Sequence, residues 1–315
     1  MQIKEDLNFK AKKYSSIKYG LSIFGLAYLL LLLFGFQKSG LSVFLSQKVY
    51  RLSTNDYLAV FLYGLAAFIL YYLLEFPLNI YRSYFLEHRF ALSRQSLRDW
   101  LFDQLKAGAI SFVIFSVLIQ ALYLVLRQYL YNWWLIISLF WIFFSVVLAK
   151  ITPTLIIPLF FKYRDLPDRQ LRGRILNLAK RMKVKILDVF EIDFSKKTLK
   201  ANAAFVGLGK TKRILLADTL KDKYTHDEIE VILAHEFAHY RLKHLLKMVL
   251  ISSGMTLALF YLIDKTNPYA LGYFGLSSLS DVASLPLVFG YFILFGLVSE
   301  PLTNYISRNF EVHAD

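Results

Sequence analysis

Residues 133–156 read WWLIISLFWIFFSVVLAKITPTLI, an apolar run whose single charged residue, Lys150, lies near its end. An α-helix needs about 20 apolar residues to cross the hydrocarbon core of a bilayer. The chain contains five more runs of comparable length, at 17–36, 57–80, 109–127, 245–264 and 286–306. Buried helices of a large soluble protein are the alternative, but six such lengths in one chain disfavour it. We therefore predict a mostly α, polytopic helical membrane bundle.

The composition agrees with a membrane protein. Of the 315 residues 57% are hydrophobic, and the mean hydropathy of +0.45 is too high for an ordinary soluble domain. The absence of cysteine excludes disulfides, thiolate metal sites and prenylation or palmitoylation of this sequence. The first run is longer than the core of a signal peptide and no small-residue cleavage site follows it, so we expect a retained helix.

The net charge of +14 is unevenly distributed over the connections between the runs. Basic residues are dense before the first run, in 81–108 and in 157–244, whereas Arg127 and Lys265 are the lone basic residues of two other connections. The positive-inside rule then places the N-terminus, these two dense segments and 307–315 on the cytoplasmic side. We interpret the basic excess as a topology signal and not as a nucleic-acid-binding surface. Attraction to anionic membrane lipids is a weaker second interpretation.

The runs divide the chain into four parts. Residues 1–156 form a four-helix membrane region with an amphipathic loop at 81–108, which we expect to be an interfacial or cytosolic helix. Residues 157–244 are the stretch long enough to form a soluble domain. Two further membrane helices follow at 245–306, and 307–315 is expected to start another helix.

The segment 157–244 has the pattern of an α+β domain. A helix is predicted from 170 to 181, and the alternating residues 188–192 predict a strand. Two more strands, at 203–206 and 213–217, are expected around a turn at Gly207-Leu208-Gly209-Lys210. The two glycines of this turn are too closely spaced and wrongly placed for a nucleotide-binding loop.

The motif HEFAH places His235 and His239 four residues apart, so that on a helix both imidazoles can reach one metal ion. Glu236, beside the first histidine, can then take a proton from the attacking water. Thr225, three residues before Glu228, forms a capping-box pattern that starts the helix near Thr225. Two surface histidines on an amphipathic helix are the alternative. The motif predicts zinc-dependent peptide hydrolysis at a membrane.

A catalytic zinc needs a third protein ligand, and the best candidate lies in SRNFEVHAD, residues 307–315. Glu311 and Asp315 are four residues apart and share a helix face. Glu311 could bind zinc, and Asp315 could accept the second N–H of a ligand histidine. His313 points roughly the other way on the helix, so we expect that it does not bind the metal ion. Considered without other information, a solvated helix end is the favoured interpretation of these two carboxylates.

Several motifs, taken in order, resemble the type I CAAX prenyl endopeptidases, which are integral-membrane zinc proteases of the gluzincin type. The resemblance covers nearly the whole chain, and the ordered set is far more specific than the HEFAH motif. The matching stretches are Glu87–Phe90 with Gln95, Ile157–Phe160, Lys200–Phe205, Lys212–Leu216, Asp218–Leu220, His235–His239 and Ser307–Asp315.

The resemblance implies that His235, His239 and Glu311 bind one zinc ion per chain and that Glu236 is the general base. In the family these groups act in a zincin-like domain beside a water-filled chamber that the membrane helices enclose. The third ligand, which the local sequence leaves open, is thereby assigned to Glu311.

Other features of the family also carry over. The resemblance implies that Asn202 and Ala203 line the cleft and pair with an extended substrate. Leu220 is followed almost directly by Thr225, without the long insertion that eukaryotic members have before the catalytic helix. In this respect the chain resembles prokaryotic members. The family continues past the position of Asp315, so groups thought to stabilise the oxyanion are expected beyond it.

We therefore predict a multi-pass zinc endopeptidase of the bacterial inner membrane with a cytoplasmic protease domain, or of the endoplasmic reticulum membrane if the source is eukaryotic. Its expected partners are membrane lipids and peptide or lipidated-protein substrates, either CAAX-type or misfolded membrane proteins, and not nucleic acid. The alternative is a non-catalytic channel or scaffold with a structural or degenerate metal site. The intact motif residues disfavour that alternative.

Overall fold

The computed structural model describes residues 2–184, 186, 188–206 and 213–315, so the turn expected at 207–210 lies outside the described residues. The chain forms two compact units. The first unit comprises Met1–Phe90, Leu97–Trp141 and Thr256–Val298. The second unit comprises Ala91–Ser96, Ile142–Met255 and Ser299–Asp315.

Long helices dominate the described chain. The helices are α1 (Gln2–Lys38), α2 (Leu41–Leu52), α3 (Asp56–Ile80), α4 (Leu97–Gln128), α5 (Trp133–Ile151), α6 (Arg169–Arg181), α7 (Asp218–Lys221), α8 (His226–Arg241), α9 (His244–Phe274) and α10 (Leu285–Ala314). A π-helical turn at Tyr81–Phe85 and an α-helical turn at Leu86–Arg89 continue α3. A π-helical turn at Thr152–Ile156 and a 3₁₀ turn at Ile157–Leu159 continue α5. The strands are β1 (Tyr163–Asp165), β2 (Val189–Ile192), β3 (Ala203–Val206) and β4 (Arg213–Ala217).

Six helices of the described chain are long and apolar enough to cross a membrane, which confirms the predicted polytopic α-helical fold. Each contains one of the six apolar runs but extends beyond it. The candidate spans are Phe9–Lys38, Asp56–Arg89, Leu97–Gln128, Trp133–Leu159, His244–Phe274 and Val282–Ala314. The apolar run ends where charged side chains begin, whereas helix propensity continues through Arg, Lys and Glu. Hydropathy therefore predicted the spans but not the ends of the helices.

The segment 81–108 is not a separate amphipathic helix, so that prediction was wrong. Its first part extends α3 as far as Arg89, and its second part is the start of α4 at Leu97. The helices are separated by a short break that contains Ala91, whose φ of 52° lies in the left-handed region. A charged stretch and an apolar stretch share one helix here because helical backbone groups are satisfied internally in either environment.

The core of the first unit combines apolar packing with buried hydrogen bonds. Gly64 allows α3 and α4 to approach closely, because a Cβ atom at this position would lie 2.4 Å from Cδ1 of Ile119. The Ser42 hydroxyl donates a 2.6 Å hydrogen bond to the carbonyl oxygen of Ala283 and lies 2.6 Å from the Tyr63 hydroxyl. These contacts join α2, α3 and the segment before α10.

The second unit is built on a four-stranded sheet of order β1-β2-β4-β3. Strands β2 and β4 are parallel, and each outer strand is antiparallel to its neighbour. The helix predicted at 170–181 and the strands predicted at 188–192, 203–206 and 213–217 are confirmed as α6, β2, β3 and β4. Apolar side chains of α6, α8 and the sheet form the core of this unit.

The segment 307–315 does not start a helix, which corrects another expectation. It forms the last turns of α10, which runs from Leu285 to Ala314 and includes Pro301. A proline in a helix removes one backbone donor, and membrane helices tolerate it where neighbouring groups compensate. No glycine or proline lies between Leu302 and Asp315, so the helix continues to the end of the segment.

Candidate metal centre

The helix α8 carries the HEFAH motif and begins at a complete capping box. The backbone N–H of Thr225 donates to Oε2 of Glu228 at 2.8 Å, and the backbone N–H of Glu228 donates to Oγ1 of Thr225 at 3.4 Å. Both groups would otherwise be unsatisfied at the helix start. The predicted beginning of the motif helix is confirmed.

One face of α8 packs into the apolar core and leaves the histidines on another face. Ile229, Leu233 and Phe237, spaced four residues apart, are fully buried in the core of the second unit. His235 and His239 are each two positions from this stripe, which corresponds to a rotation of about 200° around the helix. The apolar spacing therefore orients the two imidazoles away from the core.

Three donor atoms converge at this face. The Nε2 atoms of His235 and His239 are 3.0 Å apart. Oε2 of Glu311, from the last turn of α10, lies 3.2 Å from the first of them and 3.5 Å from the second. Among the described residues these three side chains form the one His, Asp or Glu group suited to a metal ion, and His313 is not part of it.

The geometry of these donors fits zinc. In a tetrahedral site with bonds of about 2.0–2.1 Å, ligand atoms are about 3.3 Å from one another. The observed separations of 3.0, 3.2 and 3.5 Å lie around that value. Two imidazole nitrogens and one carboxylate also form a ligand set that catalytic zinc sites use, with a fourth position left for water.

The second nitrogen of each histidine ring also has a partner. Oδ1 of Asp315 lies 2.8 Å from Nδ1 of His235, as the spacing of the carboxylates had suggested. Nδ1 of His244 lies 2.9 Å from Nδ1 of His239. Both contacts leave the Nε2 atoms directed at the centre of the cluster. A hydrogen bond to one ring nitrogen fixes which nitrogen remains available to a metal.

His244 was missed by the sequence analysis, and no pattern marked it. On an uninterrupted helix, a residue five positions after His239 would be rotated by about 140° and face elsewhere. The helix α8 ends before it, at Arg241, with Leu242 as its C-terminal cap. No glycine, proline or asparagine in this stretch signals that end.

Glu236 is partly buried beside the metal-binding group. Burial raises the pKa of its carboxyl, while positive charge on His239 and His235 lowers it, and the charge of Glu311 raises it. A carboxylate with a raised pKa is a better proton acceptor near neutral pH.

Asn202 and Ala203 lie at the strand that packs on α8. The Phe205 ring of β3 contacts Phe237 edge-on, with ring centroids 6.1 Å apart, and lies 5.1 Å from the Tyr240 ring. The carbonyl oxygen of Asn202 accepts a 2.9 Å hydrogen bond from the backbone N–H of Ala217. In the described sheet β3 is an edge strand with its second side unpaired by another strand.

Comparison with known families matches two successive models to this chain. A model described as the CAAX prenyl protease N-terminal region, with five membrane helices, matches residues 2–162. The model of peptidase family M48 matches residues 165–315, the part that contains all three donors of the candidate metal centre.

Individual relatives extend over nearly the whole chain. An uncharacterized metalloprotease of Bacillus subtilis, YhfN, is 30% identical over 97% of this chain and 72% of its own length. A probable CAAX prenyl protease 1 of Schizosaccharomyces pombe is 29% identical over 86% of this chain, which spans only 57% of that protein. The crystal structure of S. mikatae Ste24p superimposes with a TM-score of 0.82 at 25% identity, covering 97% of this chain and 76% of that one. The chain therefore belongs to peptidase family M48, as a membrane-embedded metalloprotease of the CAAX prenyl protease type.

Proposed function

We propose that the chain is an endopeptidase that uses one Zn²⁺ held by His235, His239 and Glu311. The observation that carries this proposal is the convergence of three donor atoms within 4.8 Å of one another. When bound, the ion would supply Lewis-acid activation of water and of the scissile carbonyl.

Glu236 is the general base in this proposal. It follows the ligand His235 directly, so its carboxylate stays at the site without occupying a ligand position. One of its oxygens takes the proton of the attacking water and later delivers it to the nitrogen of the departing peptide. The raised pKa that burial gives Glu236 supports both transfers near neutral pH.

Asp315 orients His235 in this proposal. A carboxylate acceptor 2.8 Å from Nδ1 favours the tautomer with the proton on Nδ1 and the lone pair on Nε2. The negative charge also increases the basicity of the ring as a ligand.

The proposed substrate pairs with the free edge of β3 at Asn202 and Ala203. The backbone N–H of Ala217 donates to Asn202, and that of Ile214 donates to Asp188 of the β2 side. In an antiparallel pair, the backbone groups of successive residues point alternately toward and away from the partner strand. Because the carbonyl group of Asn202 points toward β4, the N–H and C=O of Ala203 point away from β4. An extended peptide can add to such an edge by main-chain hydrogen bonds.

The proposed substrates are membrane-associated proteins, either C-terminal CAAX-type segments or misfolded membrane proteins. The membrane helices support membrane-associated substrates, and the name of the Schizosaccharomyces pombe relative supports CAAX-type peptides. We place the enzyme in the bacterial inner membrane with 157–244 in the cytoplasm, or in the endoplasmic reticulum membrane for a eukaryotic source. The dense basic residues of that segment and the Bacillus relative support this orientation and location.

The test is metal content and peptide cleavage by the purified full chain in detergent micelles. We expect about one zinc per chain, and cleavage that is lost on chelation and regained on adding zinc. A farnesylated CAAX peptide, the same peptide without the prenyl group and an unfolded membrane protein separate the substrate classes. His235→Ala serves as the metal-free control. Zinc binding without cleavage of any of the three would favour the channel or scaffold alternative.

A further inference from the structure

His244 lies where it can accept a hydrogen bond from one of the proposed zinc ligands. It is 4% exposed, and its Nδ1 is 2.9 Å from Nδ1 of His239. The other nitrogen of His239, Nε2, is the one that faces His235 and Glu311. If His239 presents its lone pair at Nε2, its proton is on Nδ1, so His244 must accept at its own Nδ1.

The backbone between the two histidines brings the second ring back to the site. Leu242 ends α8 with its N–H donating to the carbonyl of Ala238 at 2.9 Å. Lys243 then adopts a left-handed conformation with φ of 57°, and α9 begins at His244. A non-glycine residue rarely adopts this conformation, which persists where surrounding contacts hold it. The His239–His244 contact is one such contact.

The face of the His244 ring packs on the residue that precedes the third proposed ligand. The rings of His244 and Phe310 are parallel, with an angle of 6° between their planes and 4.3 Å between their centroids. The ammonium of Lys247, one turn further along α9, lies 5.6 Å from the centroid of the Phe310 ring. His244 therefore contacts both a histidine of α8 and the turn of α10 that carries Glu311.

We propose that His244 is a positioning residue for the metal centre, an inference that rests on the zinc site proposed above. Its Nδ1 holds His239 in the tautomer with Nε2 free for the metal, and its ring face holds Phe310 so that the Glu311 carboxylate meets the histidines. The two ligand histidines are thus oriented differently: His235 by the carboxylate of Asp315, and His239 by a neutral imidazole.

Four variants of the full chain separate these two contacts. His244→Phe keeps an aromatic ring on Phe310 but removes the acceptor. His244→Asn supplies an amide oxygen near the position of Nδ1 but removes the ring. Phe310→Leu removes the stacking and leaves the contact between the histidines intact. His313→Phe is the matched control, because it makes the same change at an exposed histidine outside the group of donors.

The measurements are zinc affinity by competition with a chromophoric chelator, the visible spectrum of the Co²⁺-substituted protein, and the melting temperature of the metal-free protein. We expect His244→Phe to weaken zinc binding by about 10–100-fold, as loss of a hydrogen-bonding partner of a ligand does elsewhere. The Co²⁺ spectrum should change, while the melting temperature of the metal-free protein stays near that of His313→Phe. His244→Asn should regain part of the affinity, and Phe310→Leu should lose less than His244→Phe.

Two results would overturn the inference. Zinc affinity in both His244→Phe and Phe310→Leu equal to that of His313→Phe would leave His244 without an effect on the metal centre. A lower melting temperature of the metal-free protein with an unchanged Co²⁺ spectrum would assign His244 a purely structural role. Failure of the unmodified chain to bind zinc in a one-to-one ratio would instead overturn the proposed function, and this inference with it.

Discussion

Oδ1 of Asp315 lies 2.8 Å from Nδ1 of His235, while Oε2 of Glu311 lies 3.2 Å from Nε2 of the same ring. The two carboxylates come from one helical turn, since the backbone N–H of Asp315 donates to the carbonyl of Glu311 at 3.1 Å. One turn at the end of α10 therefore supplies a carboxylate to each nitrogen of the imidazole. A metal ion between these groups would fasten α8 to α10.

Removing the two carboxylates should have unequal effects on metal binding. Glu311→Ala deletes a donor atom and should weaken zinc affinity strongly, whereas Asp315→Ala removes only the partner of a ligand and should cost about 10–100-fold. Zinc titration against a competing chelator measures both, with His313→Ala as the control in the same turn. Unchanged affinity in Glu311→Ala would show that the third ligand lies elsewhere.

Glu236→Gln should separate metal binding from catalysis. The amide keeps the size of the side chain but cannot take a proton from water, so cleavage should be abolished while about one zinc per chain remains. Elemental analysis and a peptide-cleavage assay on the same sample report the two properties. Loss of zinc would make Glu236 a ligand, and appreciable remaining cleavage would rule out its role as general base.

The parts of the fold that follow from a single physical requirement were predictable from the sequence. A bilayer demands about 20 apolar residues for each span, and each of the six runs that satisfy this lies within one of the six candidate spans. The capping box fixed the start of α8 because Thr225 and Glu228 satisfy each other's backbone groups. Helix ends in charged sequence were not predictable, because nothing local stops a helix between Tyr81 and Arg89.

The candidate site was only partly predictable. The spacing of His235 and His239 fixes their common face, but the approach of Glu311 depends on tertiary packing, and family resemblance was needed to single it out. His244 could not be found at all, because its position depends on the left-handed conformation of Lys243. That conformation has no sequence signal when the residue is not glycine or asparagine.

Membrane orientation can be tested by labelling, since the chain has no cysteine of its own. Lys200→Cys should be protected from an impermeant maleimide in intact cells, whereas Ser277→Cys, in the sparsely charged connection before α10, should react. Both positions are exposed in the structure, so burial does not limit the reaction. Permeabilised cells, in which both should react, provide the control. Labelling of Lys200→Cys in intact cells would reverse the proposed orientation.

The free edge of β3 predicts a selective effect of proline. Ala203→Pro removes an outward backbone N–H, so kcat/KM for an extended peptide should fall about tenfold, the equivalent of one hydrogen bond of about 1.4 kcal/mol. Zinc content should not change, because the strand provides no ligand. Ala204→Pro is the matched control: Ala204 pairs with Leu215 inside the sheet, so its proline should lower the melting temperature instead. Equal kcat/KM in Ala203→Pro and the unmodified chain would place the substrate away from this edge.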